Sequence, residues 1–383
     1  MKAAVTLLAL CVTSLLVLGL VMLYSSSMVM TDKHHSPIGA KMMVMQLVWS
    51  VVGFIACAVM ASLDYALLRK LVWPIFGVSL FLAALVFVPP IGLNLNGARR
   101  WIQLPGATLQ PSEFVKLALI IAIAWYGERS QRKMRLFSRG IIVPCCIIGA
   151  ALGLIFIEPD RGTTALLGLV TFVMLWIAGA RWWHIALIVV AGAGLFALSI
   201  LHDPMRMNRI MAWLNPDAHQ QGAAMQGTEA QKAIGAGGLT GVGLGNGLQK
   251  NGFVPEIQSD FIFANIGEEL GLIGTMSVVT GFFLIAVSGI RIARQARDQF
   301  GCLLAVGITA LIGFQAFFNM GVVTGVLPNK GIALPFISAG GSSLVAMLTC
   351  IGILFSIARH AGPLKVSAPD LTPDVNPFTA KAT

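Results

Sequence analysis

Charge is scarce in this sequence. Only 11% of its 383 residues are Asp, Glu, Lys or Arg, against about 25% in a soluble globular chain. With 57% hydrophobic residues and a mean hydropathy of +0.83, the polar surface is too small for a soluble fold. The apolar content is too high for a disordered chain. Acids are the rarer sign, 16 against 26 Lys and Arg, for a formal net charge of +10. Those cations punctuate apolar runs instead of gathering on one face. That excludes a nucleic-acid-binding domain, so no nucleic-acid partner is expected, and it fits a polytopic membrane protein. The six cysteines, Cys11, Cys57, Cys145, Cys146, Cys302 and Cys350, all lie inside apolar runs. They indicate neither a disulfide framework nor a zinc site and read as small helix-packing residues.

A membrane span needs about 20 apolar residues. Ten are predicted, at about 5–27, 43–63, 71–90, 112–127, 140–157, 163–180, 184–202, 262–289, 301–323 and 335–358. The fourth is short and carries Lys116 one turn inside it. The first is not expected to be a cleavable signal, because its uncharged stretch from Ala3 to Thr31 is too long and no small-x-small site is evident. The expected fold is therefore an all-α polytopic membrane domain of ten transmembrane helices over 1–361, with a Pro-, Thr- and Ala-rich tail, 362–383, expected to be disordered. An even number of spans puts both termini on one side. The loops on that side are rich in Lys and Arg, with five cations between Glu128 and Arg139 alone, so both termini are expected in the cytoplasm. Trp73, Trp125, Trp182 and Trp183 fall at span ends, where interfacial anchors belong. A large extracytoplasmic loop, about 203–261, joins the seventh and eighth spans, and a loop this long is usually functional.

Candidate chemistry concentrates on the outward face. Pro111 stops any preceding element, Ser112 can cap a helix, and Glu113 then sits in its first turn with Lys116 at i+3. Two readings stand: a local ion pair closing a helix start, or Arg100 and Lys116 facing a shared anion from two walls of a cavity. Arg99 looks more like a headgroup contact. Glu158-Pro159-Asp160-Arg161-Gly162-Thr163 joins two spans by a very short turn, with Thr163 a candidate cap; the cluster is either self-satisfied or a cavity wall. Gly241 to Gly247 lacks the strand–turn–helix setting and the Lys-Ser/Thr ending of a nucleotide loop. Its glycines fit close approach of backbone amides to something, or tight folding at the membrane. Ser259 or Asp260 starts the eighth span, putting Asp260 at a helix N-terminus at the outer membrane mouth; a plain N-cap is the alternative. Glu268 and Glu269 follow about 12 Å deeper, so at least one must face a polar interior or a partner. Lys330 is another outward cation, and Pro328, Pro335 and Gly340-Gly341-Ser342-Ser343 break the last helices, which survives in a membrane only where backbone is buried or lines a cavity.

Taken in order, Gly97–Ile102, Gln110–Lys116, Glu158–Thr163, Gly243–Lys250, Pro255–Gly271 and Asn319–Ser343 resemble the SEDS family of polytopic cell-wall polymerases (shape, elongation, division, sporulation) over nearly the whole chain. Tyr24–Ser27, Arg209–Pro216 and Asn319–Gly325 look closer to the cell-division branch than to the elongation branch. Three positions depart from the pattern: Arg161 stands where an apolar residue is usual, Ser259 where threonine is, and Ala339 where tyrosine is common. The resemblance implies a peptidoglycan glycosyltransferase that polymerises lipid II, an undecaprenyl-pyrophosphate disaccharide-pentapeptide. It also implies a bacterial cytoplasmic-membrane location at the division septum, a class B penicillin-binding protein as transpeptidase partner, and other divisome membrane proteins around it. Asp260 matches the family's essential aspartate, Arg100 and Lys116 its basic positions, and Glu256 a nearby acid.

The residues suit that chemistry. Displacement of pyrophosphate needs one base for the acceptor hydroxyl and no strong general acid, so one carboxylate and several cations suffice. Asp260 is the expected base. Arg100 and Lys116, with Lys250 or Lys330, are the expected pyrophosphate clamp, and Glu113, Glu256, Ser342 and Ser343 complete the candidate substrate-binding set. No ligand set identifies a cofactor, although a divalent cation, Mg or Mn, could share the neutralisation. A lipid II flippase would show similar outward charges and broken helices, and a non-catalytic division scaffold would tolerate substitution of Asp260 and Lys116.

Overall fold

The computed structural model describes residues 1–27, 38–89, 91–95, 98–104, 107–215, 225–248 and 258–361. Lys250, Glu256 and the tail 362–383 lie outside the described residues. Each of the ten predicted spans falls on a helix. They are α1 (Lys2–Ser27), α2 (Ile38–Ser62), α4 (Val72–Leu85), α5 (Pro111–Ser130), α6 (Val143–Ile157), α7 (Arg161–Ile177), α8 (Trp182–Leu201), α11 (Ile262–Arg294), α12 (Gln299–Val323) and α13 (Gly341–Arg359). Short α3 (Ala66–Lys70) lies between α2 and α4, and a π turn at Ser138–Ile142 leads into α6. Seven of the helices are long and apolar enough to cross a membrane, with α4 and α7 as shorter apolar helices.

The remaining helix, α5, is buried on nearly every face. Its Ala, Leu and Ile side chains meet α4, α12, α7 and α6, so it is the axis of the bundle. Around it α13 packs on α2, and α11 packs on both α12 and α1. Phe81, Val190, Leu195 and Phe283 stay largely exposed and form part of the lipid-facing surface. Trp73 and Trp125 meet edge to face at 5.3 Å, with the Arg129 guanidinium over the Trp125 ring.

Two of the segments between the spans carry structure that the sequence leaves open. The loop at 91–111 is an antiparallel meander of β1 (Gly92–Leu95), β2 (Ala98–Leu104) and β3 (Ala107–Leu109), with Leu93 opposite Trp101 and Ile102 opposite Leu109. The long segment after α8 contains α9 (Pro204–Leu214) and α10 (Met225–Gly237), and α10 packs on the N-terminal part of α11. At 1.5 Å per residue the 33 residues of α11 exceed the roughly 30 Å hydrocarbon thickness. The excess is set off by a break at Gly271 (φ 67°, ψ −160°). The last span also starts later than hydropathy suggests. Residues 326–340 are non-helical, Phe336 has φ 66°, and α13 begins only at Gly341.

Candidate active site

Asp260 is not the N-cap of the eighth span. It lies in the turn 258–260, Phe261 is the capping residue, and α11 starts at Ile262. The turn is held by backbone. Asn319 Nδ2 donates to the Asp260 carbonyl at 2.8 Å and to the Ile332 carbonyl at 2.7 Å. Four residues earlier on the same face of α12, Gln315 Nε2 donates to the Ala333 carbonyl at 3.0 Å. Ala339 N donates to the Gln258 carbonyl at 3.0 Å. The polar face of α12 thus fixes the 331–333 segment and the Asp260 turn side by side. At their contact stands Gly331: a Cβ there would lie 2.5 Å from Asp260 Oδ2.

Lys116 takes the first of its two sequence readings. Its ammonium is almost fully buried and pairs with Glu113 Oε2 at 2.7 Å, and it donates to Gln315 Oε1 at 3.2 Å. A lysine one turn inside a span is costly alone, and here α5 and α12 satisfy it together. Arg100 is reached differently. The alternation of β2 turns Arg99 outward and Arg100 inward with buried Ile102. Its Nε and Nη2 donate to the carbonyls of Glu158 (3.0 Å) and Pro159 (2.6 Å), tying the sheet to the α6–α7 turn. Arg100 and Lys116 therefore do not face one cavity from two walls: Lys116 is not among the residues that line the cavity at Arg100.

In that turn Asp160, not Thr163, caps α7: its carboxylate accepts from Thr163 N at 3.1 Å and Thr163 Oγ1 at 2.9 Å. Glu158 is fully buried, and neither carboxyl oxygen has a hydrogen-bond partner. Burial pushes its carboxyl up to about 8, Asp160 adds to the shift and Arg100 opposes it. The folded state thus prefers the protonated acid, an advantage that is full below the unfolded value near 4.5 and is lost as pH rises to about 8. Glu158→Gln is accordingly expected to raise stability by about 1–3 kcal/mol at pH 8 and by little near pH 4.5. Thermal unfolding of the purified protein across that range checks it, and a pH-independent gain would contradict the assignment.

Arg100 opens onto a cavity of about 460 Å³ bounded by the α6–α7 turn, α8, α9 and residues 328–331. Five cations line it, Arg100, Arg161, Arg206, Arg209 and Lys330, against two carboxylates, Asp160 and Asp203. Lys330 lies over the Phe196 ring, 4.8 Å from its centroid. Burial holds its ammonium below the ordinary lysine value; Asp160 pulls it back up in part and Arg161 pushes it further down. The cavity also reaches Gly331, the residue that touches the Asp260 carboxylate. Ser342 is buried and accepts from Gln110 N at 3.3 Å, while Ser343 is half-buried beside it. Neither serine lines this cavity. Gln315, which holds the Ala333 carbonyl, and Gly331, which lies against the Asp260 carboxylate, were not singled out from the sequence; an intramembrane glutamine four residues before Asn319 was the available signal.

Glu268 and Glu269 meet partners of the chain itself. Ser25 Oγ donates to Glu269 at 2.6 and 2.7 Å, Gly245 N to Glu269 Oε2 at 3.1 Å, and Leu248 N to Glu268 Oε1 at 2.7 Å. The glycine run does cradle anions, and they are these two carboxylates. Among the described residues no three His, Cys, Asp or Glu side chains are grouped to hold a metal ion.

A family model described as cell cycle protein, of the FtsW, RodA and SpoVE group, matches residues 5–362. A probable peptidoglycan glycosyltransferase FtsW from Trichlorobacter lovleyi is 42% identical over 356 residues, 92% of each chain. Stage V sporulation protein E of Bacillus subtilis is 39% identical over 349 residues, 91% of this chain and 94% of that one. Among solved structures, one described as the structural coordination of polymerization and crosslinking by a peptidoglycan synthase complex aligns with TM-score 0.76 and 26% identity over 92% of this chain and 96% of that one. Thermus thermophilus rod shape determining protein RodA aligns with TM-score 0.68 and 26% identity over 92% and 96%.

Proposed function

The chain belongs to the cell cycle protein family of FtsW, RodA and SpoVE, and on that premise we propose how its outward cavity polymerises a lipid-linked sugar. The activity is that of a peptidoglycan glycosyltransferase, on the division branch of the family, in a multi-pass membrane protein. The substrate is lipid II: a lipid tail in the bilayer, a pyrophosphate at the interface and sugars outside. The acceptor hydroxyl oxygen attacks the anomeric carbon of the donor sugar. The carbon–oxygen bond to pyrophosphate breaks, configuration inverts, and a β-1,4 bond forms. Asp260 takes the hydroxyl proton, while Arg100 and Lys330 neutralise the leaving diphosphate. Lys116 with Glu113 acts one step back, through Gln315 and the 331–333 segment. The observation that carries this reading is Gly331, one residue shared by the Asp260 carboxylate and the basic cavity.

A class B penicillin-binding protein supplies the crosslinking partner, the termini are cytoplasmic, and the site of action is the septum. The test uses the purified chain with that partner and lipid II held in detergent, where there is no bilayer to flip across. Glycan strands are expected. Absence of strands, together with translocation of lipid II in vesicles, would establish transport instead.

A further inference from the structure

Polymerisation brings two lipid-linked diphosphates to every bond, because the donor releases one and the acceptor keeps its own. The cations named for that task fall short of it. Lys116 is occupied by Glu113 and Gln315 and does not line the cavity. Arg100 spends two of its donors on backbone carbonyls. Arg206 pairs with Asp203 at 3.1 Å. Among the described residues, Lys330 and Arg209 are the cavity cations with neither a hydrogen bond nor an ion pair, and Arg161 commits a single nitrogen, Nη1, to Ser199.

We propose that Arg161 and Arg209 complete the anion-binding site, taking the diphosphate of a polyprenyl-linked sugar where Lys116 was expected to. This rests on the polymerase reading of the same cavity. Arg161 opens α7 immediately after the capping Asp160, and its guanidinium is steered by Ser199 at the end of α8 and by the Phe156 ring, 4.8 Å away. An arginine at this position, where the resembled family usually carries an apolar side chain, brings a second fork-shaped donor to the cavity beside Arg100. Arg209 arrives from α9, whose exposed apolar Met211 and Leu214 lie on the side of the helix away from it. A short helix with one apolar and one cationic face lies in the headgroup plane, the depth at which a diphosphate rides. Arg209 also lines an adjoining cavity of about 260 Å³ with Trp213, Gln231 and Asn329. It therefore stands where two cavities meet, as a residue holding the phosphate end of a ligand with sugars beyond it would.

The test is direct binding of undecaprenyl pyrophosphate to the full-length chain in detergent, with inorganic pyrophosphate as competitor and phosphatidylglycerol as the alternative anion. Arg209→Gln and Arg161→Leu are each expected to weaken undecaprenyl pyrophosphate binding about 10- to 100-fold. Arg209→Lys retains most of the affinity, and Lys232→Ala, an exposed cation of α10, retains all of it. Inorganic pyrophosphate displaces the lipid from wild type, and phosphatidylglycerol binding is unchanged by either substitution. Asp260→Asn, which removes a negative charge beside the cavity, loses polymerisation but binds undecaprenyl pyrophosphate no less tightly than wild type, so the anion site and the catalytic reading fail separately. Wild-type binding in both variants overturns the proposal. So does phosphatidylglycerol binding that falls in step with the diphosphate, which would mark a general headgroup surface. Should Arg209→Gln not fold, Arg161→Leu, an exchange toward the usual residue, decides alone.

Discussion

An Asp260→Asn chain is expected to form glycan strands about 10²–10⁴-fold more slowly than wild type while inserting and joining its partner normally. Asparagine keeps the shape of the side chain and leaves the backbone bond from Asn319 to the residue 260 carbonyl intact. What it removes is the capacity to accept a proton. Gly331→Ala is expected to lose about 10²-fold without touching that chemistry, because a misplacement of about 1 Å is enough for such a loss. The added methyl would lie 2.5 Å from Asp260 Oδ2, closer than any carbon–oxygen contact allows, so the carboxylate must swing away. Gly331 has no left-handed backbone, and alanine brings no strain of its own there. The loss should therefore appear in the maximal rate with lipid II saturating, and folding should be unchanged. Single-turnover rates on detergent-held lipid II separate the outcomes. Wild-type rates from Asp260→Asn would remove the base from the scheme, and wild-type rates from Gly331→Ala would remove its placement.

Span count and order were legible because hydrocarbon thickness fixes how much apolar sequence a crossing needs, and all ten runs became helices. The weak fourth run illustrates the limit. Its Lys116 looked costly, which correctly demanded partners, but that cost pointed to an anion shared with Arg100, whereas the partners found are Glu113 and Gln315. One of those actually used, Gln315, is 199 residues away, and no local pattern names it. The small sheet escaped notice because strands of four, seven and three residues are too short for alternation to stand out. The glycine run shows the converse. Its composition announced close backbone approach, yet the carboxylates approached lie on another helix, and their need for donors is visible only as two acids too deep in a span. Asp260 was readable as an acid at the membrane mouth; its relation to Gly331 was not, since it depends on how α12 aligns two loops.

Gly271→Ala is expected to destabilise the protein by about 3–5 kcal/mol, from two sources that add. Gly271 has φ 67° and ψ −160°, a region that is essentially glycine's alone, and a side chain there costs about 1–3 kcal/mol. A Cβ would also lie 2.6 Å from the Leu239 carbonyl oxygen. That oxygen belongs to a strip of backbone that pairs with α11 across the break: Leu272 N to Gly238 O at 2.9 Å, Val242 N to Glu268 O at 3.0 Å and Gly243 N to Glu269 O at 3.1 Å. Forcing the strip away strands buried peptide groups at about 1–3 kcal/mol each. Gly77→Ala is the control: it sits mid-helix in α4 with nothing within 4 Å of the new methyl, so it should leave stability unchanged or raise it by up to about 1 kcal/mol. Thermal unfolding in detergent compares the two. Equal melting of Gly271→Ala and wild type would mean that the strip follows the helix instead of holding it. The expected loss means that the amides of Gly245 and Leu248 leave Glu269 and Glu268 together with the strip, exposing two buried acids in the N-terminal part of the helix that begins just after Asp260.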